Sequence, residues 1–279
     1  MSTINLFATV LIACAAMSCG ANDGSETKTA VVGSPTATPA PSSPPNSDAG
    51  AALPDVGLRD ALVVCEGCSP ELLAAKTQGI SDGMEMLLQY TKGTDIRPEH
   101  GLVTFHLSGD AVCGAYTAGQ TGFYSTDGPG HAHICLFDLD KQNRALPFNP
   151  ANAVTSADQL LPIHEAMHAW FSMRISNYEI EEPFCKFISF EVSGGMKQFG
   201  NGDSCSWFRG TTPTDPDRLM PQLCHLGLTR DDVSEILSKT AAKADGLNRL
   251  MTTGELADIV TEVLGKDAVP AFRAVGLLP

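Results

Sequence analysis

The sequence is poor in basic residues and lacks any long apolar run. It has 18 lysines and arginines against 32 aspartates and glutamates, which gives a net charge of −14 at pH 7. Such a surface repels phosphate backbones and anionic lipid headgroups, so nucleic-acid binding and electrostatic docking on membranes are not expected. The longest apolar run, from Leu6 to Met17, has 12 residues and is too short for a helix that crosses a bilayer. These absences exclude a polytopic membrane protein.

Residues 1–19 have the pattern of a secretory signal, although no lysine or arginine precedes the apolar core. The core ends in small residues and Cys19, which resembles the bacterial lipoprotein pattern. The tetrapeptide ending at Cys14 matches that pattern better by its letters, whereas Cys19 leaves a longer apolar core and a polar segment behind it. We favour Cys19 as the lipidation site. Cys14 and a cleaved signal without lipid are the alternatives.

The resemblance to lipoproteins implies export to a bacterial cell envelope and lipid anchoring in the cytoplasmic or outer membrane, facing the periplasm or the cell surface. Residues 20–52 follow the signal and are rich in Pro, Ser, Thr and Ala, with no aromatic residue. Such a composition cannot bury enough apolar surface to offset the entropy of ordering the chain. We therefore expect a disordered tether, with a proline-rich ligand for a partner as the alternative.

The folded domain is expected to span residues 53–279, with strands in 53–155 and mainly helices in 156–279. Ser69 followed by Pro70 marks a helix start, and this helix is expected to end near Gly93. Alternating apolar residues predict strands, and 3.6-residue periodicity predicts helices. The strands are expected at 101–108, 111–117 and 131–138, and the later helices at 157–175, 180–193, 230–244 and 254–265, the third capped by Thr229. This order indicates an α+β fold with a small mixed sheet.

Seven cysteines follow the predicted signal. In an exported protein most of them should form disulfides, and the odd number leaves one thiol free. Cys65 and Cys68 lack the second pair that a zinc ribbon needs, so they indicate one bridge with each other or two separate bridges. Cys113 and Cys135 lie on predicted neighbouring strands and are the best candidates for a bridge. The segment 194–221, rich in Gly, Thr, Pro and Asp, is expected to be a long irregular loop.

The chemistry of the chain is indicated by an H-E-x-x-H motif, His164-Glu165-Ala166-Met167-His168, on a predicted helix. Residues four apart lie on the same helical face, so both imidazoles can bind one metal ion. Neutral histidine nitrogens suit Zn²⁺. Glu165 can accept a proton from a water at the metal and pass it to a leaving amine.

The same helix carries an apolar stripe made of Ile163, Met167, Trp170 and Phe171. The stripe lies beside the histidine face. The helix is therefore expected to bury one side in a core and to present His164 and His168 to a cleft. A pair of structural histidines on a surface helix is the alternative interpretation.

The motif resembles that of the zincin metallopeptidases. The metzincin extension is missing, because Phe171 and Arg174 stand where that pattern has a glycine and a third histidine, and the aspzincin pattern is missing too. The segment 177–190 resembles the second helix of gluzincin peptidases, in which a glutamate completes the zinc site. The resemblance implies a zincin-like fold, one catalytic zinc ion and a peptide or protein substrate.

Within the gluzincin resemblance, Glu182 is the closest match to the third zinc ligand, fourteen residues after His168. Glu181, and then Glu179 or Glu191, are the alternatives, and a solvated acidic first helical turn would need no metal at all. Pro183 disfavours helical geometry in the residue before it, so Glu182 is expected in the first turn of its helix. Lys186 stands where thermolysin-like gluzincins have an aspartate that orients a histidine, so other residues must support the site.

Zincins have a strand before the motif helix that forms the upper rim of the cleft and pairs with extended substrate. The resemblance assigns that role to residues 131–137, whose His131 and His133 are expected to face solvent, with contact to substrate as the alternative. An oxyanion needs a hydrogen-bond donor, and three side chains qualify by type alone. These are Tyr178, Arg209 and His225.

The leading hypothesis from the sequence is therefore a lipid-anchored zinc peptidase. His164, His168 and Glu182 bind zinc, and Glu165 is the general base. Two alternatives stay open. The first is a catalytically inactive zincin-like module that binds partners on the cell envelope, against which the presence of Glu165 argues. The second is a hydrolase with a substrate other than a peptide.

Overall fold

The computed structural model describes the greater part of the chain after residue 60, with gaps. The described residues are 51–52, 61–65, 68–92, 94, 102–107, 113, 123–126, 131–136, 157–175, 177–193, 204–210 and 217–279. The predicted signal, Cys14, Cys19 and nearly all of the predicted tether lie outside them, as does the predicted strand at 111–117 apart from Cys113. None of the helices within the described ranges combines the length and apolarity needed to span a membrane.

Five strands form one mixed sheet in the described part of the chain. They are β1 (Ala51–Ala52), β2 (Ala61–Val64), β3 (Leu102–His106), β4 (Phe123–Thr126) and β5 (His131–Cys135). Their order is β1-β2-β3-β5-β4, in which β2, β3 and β5 run parallel and the outer strands β1 and β4 run antiparallel to their neighbours. The predicted mixed sheet and the strands β3 and β5 are confirmed. β1 adds the last two residues of the predicted tether to the sheet.

The resemblance assigns residues 131–137 to the upper rim of the cleft, where they would pair with extended substrate, but β5 has no unpaired edge for such pairing. It lies between β3 and β4, with which it pairs from Cys135 to His131 and from Cys135 to Ala132, respectively. Its backbone polar groups are thus used on both sides. The outer strand is β4, which the sequence analysis did not predict.

Eight helices lie in the described residues. They are α1 (Pro70–Tyr90), α2 (Ala157–Ser172), α3 (Tyr178–Ser193), α4 (Ser204–Gly210), α5 (Leu219–His225), α6 (Arg230–Asp245), α7 (Thr253–Leu264) and α8 (Val269–Ala274). The predicted caps are confirmed. Ser69 Oγ accepts a hydrogen bond from the Leu72 amide at 3.2 Å, and Thr229 forms a capping box with Asp232.

The prediction of an irregular loop over residues 194–221 is wrong in part, because α4 lies inside it and α5 begins near its end. These helices have seven residues each and show no usable apolar period. Cys205 and Cys224 lie at disulfide distance and link them. The Glu191 carboxylate also accepts a hydrogen bond from the Ser204 amide at 2.9 Å, at the start of α4. Tertiary contacts therefore stabilise both helices.

The other cysteines follow the sequence analysis. Cys113 and Cys135 lie at disulfide distance, as do Cys65 and Cys68. Cys185 is the one free cysteine of the described residues, and it is buried.

The main core lies between one face of the sheet and helices α1 and α2. Val63, Phe105 and Ile134 are neighbours across β2, β3 and β5 and have no exposed surface. Helix α2 packs against α1, α3, β4 and β5, and its apolar stripe is buried as predicted. The helix that carries the H-E-x-x-H motif is thus held from several directions, which fixes the positions of its polar side chains.

Candidate metal centre

His164 and His168 lie one turn apart on α2, with their Nε2 atoms 3.2 Å from each other. Their exposed fractions are only 3% and 6%. Neighbouring elements therefore cover most of both imidazoles, and all residues from 161 to 171 are buried. The cleft expected beside the two histidines stays a prediction.

Glu182 of α3 completes a triangle of donor atoms with the two histidines. Its Oε2 lies 2.9 Å from His168 Nε2 and 3.5 Å from His164 Nε2. Among the described residues, these three side chains are the one group whose donor atoms are arranged to hold a metal ion. All three are buried. The structure thus brings together the three residues that the sequence analysis assigned as ligands.

Glu182 does not lie in the first turn of its helix, contrary to the expectation drawn from Pro183. Helix α3 begins at Tyr178, so Glu182 is its fifth residue and Pro183 lies inside the helix. Asn177 caps the start, because its Oδ1 accepts a hydrogen bond from the Glu179 amide at 3.1 Å. Proline costs α3 one backbone hydrogen bond. Extensive packing of α3 against α2 offsets that loss.

The alternative third ligands have other positions. Glu181 is buried, but its Oε2 lies 3.5 Å from Nδ1 of His168, the ring nitrogen on the opposite side from the triangle. Glu179 is exposed, and Glu191 binds the Ser204 amide. Glu182 is thus the acidic residue placed to share an ion with both histidines, and Glu181 is placed to orient His168.

Charges around Glu182 favour its ionised form. Burial by itself would raise the pKa of Glu182, but His164, His168 and Lys186 outweigh burial and lower that pKa far below its usual range. Glu182 is therefore a carboxylate at neutral pH, which is the form that binds metal ions.

Lys186 lies one turn after Glu182 on α3. Its Nζ is 3.0 Å from Glu182 Oε1, and it is 3.0 Å and 2.9 Å from the two carboxylate oxygens of Asp217. Asp217 is buried and precedes α5. Sequence reasoning missed Asp217, because no pattern connects it with residues more than thirty positions earlier.

Two further side chains of α3 lie against His168. Tyr178 stacks on its ring, with 6.1 Å between centroids and an angle of 13° between planes. The Cys185 thiol interacts with the same imidazole, and burial raises the pKa of Cys185 to about 12, so it stays protonated. Of the three oxyanion candidates, the structure brings Tyr178 to the site. Arg209 donates a hydrogen bond to the Cys224 carbonyl at 3.1 Å, and His225 is exposed.

Glu165 is buried beside the triangle. Its Oε2 has no hydrogen-bond partner among the described residues. Burial raises the pKa of Glu165, the charges of His164 and His168 oppose that shift, and the Glu182 carboxylate adds to it. Glu165 Oε2 is therefore available, as far as the described residues go, to accept a proton.

His133 differs from its predicted place at the surface. It is buried, with its Nδ1 3.0 Å from Nε2 of His106 on the neighbouring strand β3. Its solvent-facing interpretation is wrong because the side chain is almost fully buried beside His106. The side chain of His131 lies outside the described parts of the structure.

Comparison of the chain with protein-family models gives no match, and comparison with curated proteins gives none either. Its function is therefore inferred from the geometry and charge of this centre.

Proposed function

We propose that this chain is a zinc-dependent peptidase with a zincin-like, gluzincin-type centre. His164, His168 and Glu182 hold the ion, and Glu165 is the general base. The observation that carries the proposal is the triangle of donor atoms contributed by α2 and α3, with edges of 2.9, 3.2 and 3.5 Å.

These edges fit zinc. Tetrahedral zinc with ligands at ~2.0–2.1 Å has ligand–ligand distances of about 3.3 Å, close to all three edges. Two imidazoles and one carboxylate also form a donor set typical of a catalytic zinc site, which keeps its fourth position open. Calcium and magnesium prefer oxygen ligands throughout.

The charge around the triangle also supports a bound cation. Glu182 Oε2 lies 2.9 and 3.5 Å from the two Nε2 atoms, and Glu181 Oε2 lies 3.5 Å from His168 Nδ1. Both glutamates are buried. Buried carboxylates are costly without compensation, so this pair favours a bound cation.

Glu165 supplies the proton transfer in the proposed reaction. When bound, zinc would polarise the substrate carbonyl and lower the pKa of a coordinated water. Glu165 Oε2 takes a proton from the attacking water and then delivers it to the leaving amine nitrogen. Its raised pKa suits both steps, because a group that must accept and later donate a proton works best near the ambient pH.

An extended peptide is the substrate that the sheet supports best. Strand β4 pairs with β5 on one side only among the described strands, and α2 packs against it. An exposed strand edge can bind a peptide backbone by adding it as a further strand. We therefore propose that β4 pairs with the substrate instead of residues 131–137, since β5 is paired on both sides.

Export and lipid anchoring at Cys19 complete the proposal, with membrane contact through the lipid alone. Three cysteine pairs at disulfide distance support an oxidising compartment.

The proposal is tested by incubating the purified chain with a broad peptide mixture and identifying new peptide termini by mass spectrometry. Cleavage that stops with a zinc chelator and returns with added zinc is the expected result. Bound zinc without cleavage of any peptide would instead favour a binding module or a hydrolase of another substrate class.

A further inference from the structure

Lys186 bridges the proposed ligand Glu182 and the distant residue Asp217. Its side chain is 16% exposed, whereas that of Glu182 is fully buried and that of Asp217 is 12% exposed. Both carboxylate oxygens of Glu182 have close polar neighbours, although Oε1 meets the ammonium as an ion pair outside hydrogen-bond geometry. Oε2 faces the two imidazoles, and Oε1 faces the ammonium group at 3.0 Å.

We propose that Lys186, anchored by Asp217, is a positioning residue that holds Glu182 Oε1 away from the metal, so that Glu182 binds the ion through Oε2 alone. This inference rests on the proposed metal centre. In this inference a cation, Lys186, supports the third ligand. Thermolysin-like gluzincins have an aspartate at the same position.

The geometry of Asp217 supports this role. A Lys–Glu pair at i and i+4 is common on helices and contributes little by itself. Here the ammonium is also fixed by two contacts to a carboxylate from the segment before α5, at 2.9 and 3.0 Å. Lys186 is therefore restrained from outside its own helix, and its positive charge attracts Glu182 Oε1 from a restrained position.

The pairing also balances charge. Without Asp217, the largely desolvated ammonium of Lys186 would have Glu182 as its one charged partner. Without Lys186, the carboxylate of Asp217 would be buried unpaired. Removing Lys186 leaves Oε1 free to rotate or to join Oε2 on the ion. We therefore expect a weaker site and a changed coordination number.

The test compares zinc affinity in the purified full chain by competition with a chromogenic chelator. Lys186→Met is expected to weaken zinc binding by about 10- to 100-fold, the usual effect of losing a group that orients a metal ligand. Asp217→Asn is expected to cause a smaller loss, and no further loss when Lys186→Met is already present, because Asp217 acts through Lys186.

The chain offers a matched control in Lys239. It also bridges a carboxylate four residues earlier, Glu235 at 3.6 Å, and one from another helix, Glu262 at 2.9 Å. Lys239→Met removes the same kind of bridge on the surface, and zinc affinity should not change.

The cobalt-substituted protein gives a readout that a purely structural ion pair would not move. Four-coordinate cobalt(II) absorbs visible light more strongly than five-coordinate cobalt(II). Freeing Oε1 in Lys186→Met is expected to weaken the visible absorption, and Lys239→Met should leave it unchanged.

Four results would overturn the inference. Unchanged zinc affinity in Lys186→Met, with zinc bound by the wild type, would refute the positioning role and leave the proposed function standing. Metal-free Lys186→Met could instead have a lower melting temperature while its zinc affinity and its cobalt spectrum stay unchanged. Lys186 would then stabilise the fold without positioning the metal ligand. Absence of zinc binding by the wild type would refute the proposed function itself. If Lys186→Met does not fold, an unchanged affinity in Asp217→Asn refutes the inference.

Discussion

Replacing Glu165 by glutamine separates proton transfer from metal binding. The amide keeps the shape of the side chain but cannot accept the proton of the attacking water at neutral pH. Glu165 is not part of the donor triangle, although it is buried close to it. The variant should therefore keep its zinc and lose its hydrolytic activity.

The expected loss follows from the role assigned to Glu165. A positioned general base contributes about 10²- to 10⁴-fold to the rate, or about 2.7–5.5 kcal/mol of activation free energy. The upper part of this range is expected, because Glu165 Oε2 has no competing hydrogen-bond partner among the described residues. The assay compares kcat/KM for a peptide cleaved by the wild type, with zinc content measured on the same samples.

Glu179→Gln provides the control, since it removes the same charge from an exposed side chain of α3. It should leave both activity and zinc content unchanged. Full activity in Glu165→Gln would refute the role of Glu165 as general base. Loss of zinc in that variant would show that Glu165 is itself a ligand.

Three further predictions concern other parts of the structure. Glu182→Ala should lose zinc on dialysis, whereas Glu181→Ala should retain it with lower affinity, as elemental analysis of both would show. Thr229→Ala should lower the free energy of unfolding in urea by about 1 kcal/mol through loss of the N-cap of α6, and Thr229→Ser should largely restore it. Hydrogen bonds from Arg249 and from the Thr252 amide lower the pKa of Glu255 from 4.5 to about 2, so the wild type should be more stable than Glu255→Gln at neutral pH. That difference should fade as the pH falls from 4.5 to 2, because stability from a depressed carboxyl pKa is present above the unfolded pKa and is lost on protonation.

Each of these predictions has a result that would contradict it. Zinc retained by Glu182→Ala and lost by Glu181→Ala would exchange the roles of the two glutamates. An unchanged unfolding curve for Thr229→Ala would show that packing alone holds the start of α6. A stability difference for Glu255→Gln that grows below pH 4.5 would contradict the sign derived from Arg249.

The sequence was informative where local periodicity decides structure. The i, i+4 spacing of His164 and His168 needs only a helix to place both imidazoles on one face, and α2 forms as predicted. Ser69 and Thr229 cap their helices because their hydroxyls satisfy amides within the next turn. Glu182 was found through the gluzincin resemblance, and the structure places it next to both histidines.

The sequence was less informative where distant contacts decide structure. Strand β4 has four residues and gains its place by pairing with β5. Helices α4 and α5 are joined to each other by Cys205 and Cys224, and α4 also depends on Glu191 of α3. Asp217 contacts Lys186 although helix α4 lies between them in the sequence. The burial of His133 likewise depends on tertiary contacts that its own strand does not specify.

Zinc content is the most direct measure of the central claim, since it needs no knowledge of the substrate. The purified chain is dialysed against metal-free buffer, and zinc is determined per mole of protein by elemental analysis, before and after addition of zinc. About one zinc ion per chain in the wild type, and none in Glu182→Ala, is the predicted result. No zinc in the purified wild type, with none taken up on addition, would contradict the assignment of His164, His168 and Glu182 as a metal centre.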